Sequence, residues 1–159
     1  MSEIKSLSFG QRPLLSCEAV LAEAIFVDLM RAGNALGAGF DELFKKFGLT
    51  APQYNALRVL REARECGLPC QELGASLVAR DPDITRMADR LEEHGFIRKR
   101  RSETDRRVVL LSLTPKGLQV LAELDGPVAA LHLQQSAVLT ATEQRQMANI
   151  LDKLLGRVR

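Results

Sequence analysis

The stretch DPDITRMADRLEEHGFIRKRRSETDRRVVLLSLTPKG, Asp81–Gly117, decides the fold of this chain. It opens with a helix start, since Asp81 can cap and Pro82 suits a first helical turn. Ile84, Met87, Ala88 and Leu91 then recur at helical spacing and form one apolar stripe. Gly95 is a natural stop. Ile97–Arg100 and Val108–Leu113 read as two strands joined by a polar tip, Arg101–Arg107. Thr114-Pro115 begins another helix. A capped helix followed directly by a basic two-stranded ribbon has a shape suited to two grooves of one DNA duplex.

The charge pattern points the same way. Arg98–Arg107 holds six basic and two acidic residues, a local +4 in a chain whose net charge is +2. A basic patch on an otherwise near-neutral protein is the footprint of a phosphate-binding surface. The bland alternative is a solvated charged loop. The preceding helix separates the two: a short helix over Gln71–Val78, a turn at Arg80-Asp81 and the capped helix make a helix-turn-helix. In that motif the N-terminal residues of the second helix reach base edges. Here those residues are Asp83, Thr85, Arg86 and Arg90. Arg pairs with a guanine edge through two parallel hydrogen bonds, and Thr bonds a base or touches a thymine methyl. Asp83 suits a cytosine amino group or holds Arg86 in place. Arg106 and Arg107 at the ribbon tip suit a narrow minor groove. Asp105 should avoid phosphate and stiffen the tip by pairing with Arg107 or another Arg.

Working outward, Ser16 can cap a long helix to about Phe47, with Glu18 in its first turn. Val20, Leu21, Ala24, Ile25, Leu29 and Met30 form its stripe. Gly33, Gly37 and Gly39 weaken its middle, each by roughly 1 kcal/mol relative to Ala, so a kink or the close approach of another backbone is expected there. Thr50-Ala51-Pro52-Gln53 and Thr140-Ala141-Thr142-Glu143 are capping boxes. The helix from Thr114 should kink or break at Gly126-Pro127. Residues 1–13 lack periodicity and read as a loose arm. The fold class is therefore mainly α with a small β-ribbon, in one domain over 1–159. The DNA-binding lobe spans about 49–116.

Two motifs carry a family resemblance. Asp105-Arg106-Arg107 with Leu113-Thr114-Pro115-Lys116-Gly117 resembles the wing of the MarR family of bacterial transcription regulators. Pro82-Asp83-Ile84-Thr85-Arg86, Asp89-Arg90-Leu91-Glu92 and Gly95-Phe96-Ile97 are similar to that family's recognition helix and its exit. Order and spacing are right, and the flanking helices fit over about 16–157. The resemblance implies a winged helix-turn-helix homodimer, joined through helices at about 16–47 and 117–157, that binds a double-stranded palindromic operator as a repressor. It implies Thr85 and Arg86 in the major groove and Arg106 or Arg107 in the minor groove. It also implies release by a small aromatic or phenolic ligand, for which Phe40, Phe44 and Tyr54 lie near the right junction. Core packing is the competing reading of those three.

Other classes fit less well. Cys17 lies early in the first helix, where some members of the family carry an oxidant-sensing thiol. The tyrosines that accompany it there are missing, and an inert buried thiol is the competing expectation. Cys66 and Cys70 have no further ligands for zinc. His94 and His132 sit in no nucleophile or metal motif, so neither enzyme chemistry nor a cofactor is expected. A winged-helix module binding protein instead of DNA is disfavoured by Arg86 and the basic tip. Three cysteines, an odd number, do not form a secreted disulfide framework. With no signal peptide and no apolar run of about 18 residues, the expected setting is the cytoplasm, without a membrane partner.

Overall fold

The computed structural model describes residues 16–63, 67–77 and 83–157. In chain order the elements are α1 (Cys17–Lys45), α2 (Ala51–Glu62), β1 (Leu68–Pro69), α3 (Cys70–Ser76), α4 (Ile84–Glu93), β2 (Ile97–Arg101), β3 (Val109–Leu113), α5 (Pro115–Ser136) and α6 (Ala141–Leu154). The chain divides after Gly37 into two compact units.

The first unit holds the N-terminal part of α1. Ser16 Oγ accepts a hydrogen bond from the Ala19 amide at 3.3 Å, so the expected cap forms. The apolar stripe is present but uncovered within one chain: Val20, Leu21, Ile25, Phe26, Leu29 and Met30 are all exposed. The three glycines do not end α1, which is helical from Cys17 to Lys45. Propensity losses of this size are small beside the cooperative ladder of a long helix.

In the second unit, α2 starts at the expected capping box. Thr50 Oγ1 accepts from the Gln53 amide, and Gln53 Oε1 accepts from the Thr50 amide at 2.9 Å. Its buried residues Tyr54, Ala56, Leu57 and Leu60 repeat at three and four. They join Leu73 of α3, Met87, Ala88 and Leu91 of α4, Leu111 of β3, and Leu121, Leu124 and Val128 of α5 in one core. The sheet order is β1-β3-β2, antiparallel throughout. β1 was not expected from the sequence. It is two residues long and includes Pro69, tolerable only because the strand is at the sheet edge.

Two boundaries differ from expectation. The N-cap of α4 is Asp83, whose carboxylate accepts from the Arg86 amide at 3.1 Å. Asp81 and Pro82, the expected cap and first turn, lie outside the described residues, as do residues 1–13, Cys66 and Arg80. α5 does not break at Gly126-Pro127 but continues to Ser136. Pro127 removes one ladder hydrogen bond on an exposed side, while Leu124 and Val128 are buried on either side of it and hold the helix to the core. α6 begins at the expected Thr140–Glu143 box. Hydrogen bonds from Thr140 hold the Glu143 carboxyl below its usual range.

Candidate nucleic-acid interface

α4 has a hydrophobic side and a polar side. Met87, Ala88 and Leu91 are buried, whereas Asp83, Thr85, Arg86, Asp89 and Arg90 are exposed. Thr85 with Asp89, and Arg86 with Arg90, are pairs four residues apart on the open side. The Asp83 carboxylate is used locally, fixing the first turn at the Arg86 amide. That fits the expectation that it holds Arg86, through the main chain.

The ribbon tip is fastened by its own backbone. Ser102 N–H donates to Val108 O, and Val108 N–H donates to Asp105 O, both at 2.9 Å. Asp105 Oδ1 accepts from the Arg107 amide at 2.9 Å. Arg101 Nη1 donates to Arg106 O, also at 2.9 Å. Asp105 therefore stiffens the tip through a main-chain N–H and not through an arginine side chain. Among the described residues, no hydrogen bond or ion pair engages the guanidinium groups of Arg86, Arg90, Arg106 or Arg107. All four residues are exposed.

The basic ribbon is not one uniform patch, which corrects the sequence reading. Lys99 pairs with Leu111 and Arg101 with Val109, while Arg98 pairs with Ser112 and Arg100 with Leu110. Alternate residues take opposite faces. Lys99 turns toward α4. Its ammonium pairs with the Asp89 carboxylate and lies 3.6 Å from Glu92 Oε2, and its amide donates to Glu92 Oε1 at 2.9 Å. Partial burial opposes the charge, but Asp89 and Glu92 outweigh it and hold the Lys99 pKa above the ordinary lysine value. Lys99 thus ties helix to wing, and charge counting missed it. Strand alternation was the signal that could have separated it.

The root of the wing is fixed by Thr114 and Lys116. Thr114 Oγ1 donates to Gly95 O at 2.7 Å and accepts from the Gly117 amide. Lys116 Nζ donates to His94 O at 2.7 Å and lies 5.0 Å from the Phe96 ring centre. These bonds join the exit of α4 to the start of α5.

The remaining candidates are placed as follows. Phe44 and Tyr54 are 3% and 5% exposed and stack at 4.2 Å in the core. Burial pushes the Tyr54 hydroxyl up. Phe40 is half-buried against His132 at 4.6 Å. Cys17 is exposed, not buried. Burial also pushes the Cys70 thiol up, against the opposing pull of Lys99 and a hydrogen bond with Thr85. No cluster of metal-binding side chains occurs among the described residues. No helix among them is long and apolar enough to cross a membrane.

Comparison with known proteins agrees with this geometry. The MarR family model matches residues 49–109, which run from the start of α2 into β3. The transcriptional repressor MprA of Escherichia coli K12 is 33% identical over 118 residues, 74% of this chain and 67% of that protein. The chain belongs to the MarR family. Its relatives are DNA-binding transcriptional regulators and not enzymes. A MarR transcription factor from Planctomyces limnophilus superposes with a TM-score of 0.66 at 33% identity, covering 82% of this chain and 94% of that one. Sco3205 of Streptomyces coelicolor, solved in complex with DNA, superposes with a TM-score of 0.76 at 22% identity, covering 91% and 90%. It shares the fold.

Proposed function

We propose that this regulator is a cytoplasmic repressor that binds a palindromic operator as a homodimer. Thr85 and Arg86, with Arg90 behind them, read the major groove. Arg106 and Arg107 enter the minor groove from the fastened tip. The observation that carries this reading is the set of exposed guanidinium groups on α4 and the tip that no partner among the described residues engages. Selecting genomic fragments with the purified protein tests it. The expected result is a short inverted repeat upstream of a few genes. Fragments without common sequence would overturn the assignment of a specific reader, and no retention of duplex in low salt would favour a protein-binding module.

The dimer reading rests on apolar surface. The stripe of α1 is uncovered, and on α6 Met147, Ile150 and Leu154 are exposed as well, followed by Leu155. Patches of this kind mark interfaces. A two-fold dimer matches half-sites about one helical turn apart. Sedimentation at micromolar concentration should give twice the chain mass; a monomer there contradicts the reading.

Lys99 gives a sharper test of how the interface is assembled. Replacing it by Met removes the ammonium link from α4 to the wing and leaves Asp89 without its cation, while the main-chain bond to Glu92 stays. Operator affinity should fall about tenfold, equivalent to ~1.4 kcal/mol. The slope of log K against log salt should not change, because the ammonium is spent inside the protein. A slope reduced by about one would place Lys99 on a phosphate instead.

Repression is released by a small aromatic effector in this reading. The Phe44–Tyr54 stack is closed, so a ligand contacting Phe40, Phe44 and Tyr54 must open it. Such a ligand acts only if it binds the non-binding arrangement of the protein more tightly. Operator DNA then weakens its binding by the same factor.

A further inference from the structure

Two arginines of the ribbon face away from α4. Arg98 and Arg100 sit opposite Ser112 and Leu110, on the face that Lys99 and Arg101 do not occupy. In the docking proposed above, DNA along α4 would leave this outer face unused. It borders an open cleft of about 770 Å³, formed with the end of α2 and the start of α5. That volume lies in the range of small-molecule sites, about 300–1,000 Å³.

The lining is chemically mixed. Leu60, Leu113, Pro115 and Leu118 supply apolar wall, and Arg61, Arg98 and Arg100 bring three guanidinium groups. Arg61 is committed, since both its terminal nitrogens donate to the Asp125 carboxylate at 2.9–3.0 Å. Arg98 is anchored differently. Its Nε donates to Ser112 Oγ at 3.0 Å, and that serine is 4% exposed. This bond fixes the plane of the guanidinium and leaves its two terminal nitrogens without a partner among the described residues. A planar pair of N–H donors held in this way matches a carboxylate. Leu118, 49% exposed at the same cleft, offers apolar surface to whatever the carboxylate carries.

We propose that this outer-wing cleft binds a small organic carboxylate with a compact apolar body, its carboxylate on Arg98 and its body against Leu118 and Pro115. Inorganic phosphate would use the arginine but not the walls, and a neutral aromatic the walls but not the arginine. This site is separate from the Phe40, Phe44 and Tyr54 junction of the effector reading and does not depend on it. Its binding step is measured without DNA, so it stands or falls separately from operator recognition.

The test uses the full-length protein with benzoate as probe, and benzyl alcohol and inorganic phosphate as controls. Titration calorimetry and the side-chain Nε resonances of ¹⁵N-arginine-labelled protein report binding. Benzoate should bind at millimolar concentration or tighter and shift the Arg98 signal, and both controls should bind more weakly. Arg98→Gln should weaken benzoate by about tenfold or more. Leu118→Glu should do likewise by placing a like charge on the apolar wall. Both positions are exposed, and unchanged thermal melts will show that each variant is folded. Benzoate affinity that is the same in wild type and both variants would overturn the proposal. So would phosphate binding as tightly as benzoate, which would reduce the cleft to a basic patch that takes an adventitious ion only.

Discussion

Gly117→Ala should cost about 3 kcal/mol of stability, the upper part of the usual range for overpacking a tight site. Gly117 lies in the first turn of α5, where the chain crosses the exit of α4. A Cβ there would run into the carbonyl oxygen of Phe96 and sit 3.1 Å from Leu113 Cδ2. The carbonyl cannot swing aside as a flexible side chain would. It accepts the Thr114 amide at 3.0 Å, in the same knot where Thr114 Oγ1 holds Gly95. Relief requires the start of α5 to part from the end of α4, which breaks those bonds together. For a chain of this length the loss corresponds to a fall in Tm of roughly 6–12 °C. Calorimetry on the purified variant measures it. A Tm within about 2 °C of wild type would mean that the crossing yields cheaply, and that the knot does not set the angle between recognition helix and wing.

How far such features can be read from sequence depends on their physical range. Capping boxes at Thr50 and Thr140 were legible because both hydrogen-bonding partners lie within three residues. The stripe of α4 and the turn of the wing were legible for the same reason, since periodicity and turn chemistry are local. In the run Asp-Pro-Asp, two aspartates can each cap, and local chemistry does not choose between them; Asp83 is the one seated on the Arg86 amide. β1 was invisible because two residues have no period, and only pairing with β3 makes them a strand. Pro127 suggested a kink or a break because the local cost of proline is plain, whereas the buried Leu124 and Val128 that help keep the helix from breaking are a tertiary fact. Gly117 looked like part of a signature, but its need for a missing side chain appears only where two segments cross. Phe44 and Tyr54 show the limit for the candidate site. Aromatics at helical spacing suit a ligand pocket and a core equally well in sequence, and here they stack on each other.

The same distinction between local and shared contacts predicts how the arginines proposed to contact DNA differ. Arg86 stands on a helix, next to the buried Met87, with its amide held by the Asp83 cap, so its side chain leaves from a fixed point. A guanidinium placed in this way can form a bidentate pair with one guanine. Arg86→Ala should cost about 1–3 kcal/mol at each half-site and relax base preference at one position. Arg106 and Arg107 leave from a tip fastened through their main chain, with Arg101 holding the Arg106 carbonyl and Asp105 the Arg107 amide. In the proposed function their charge meets the phosphate-walled minor groove. Arg107→Ala should therefore weaken all duplexes nearly alike and lower the slope of log K against log salt by about one per site. Binding assays on an operator, a single-base variant series and random duplex, each at several salt concentrations, separate the two behaviours. If Arg86→Ala leaves the preference at every position intact while lowering the salt slope, Arg86 is a phosphate contact and α4 is not the reading element. If Arg107→Ala changes base preference at one position and leaves the slope alone, the tip reads sequence and the division of labour between helix and wing is reversed.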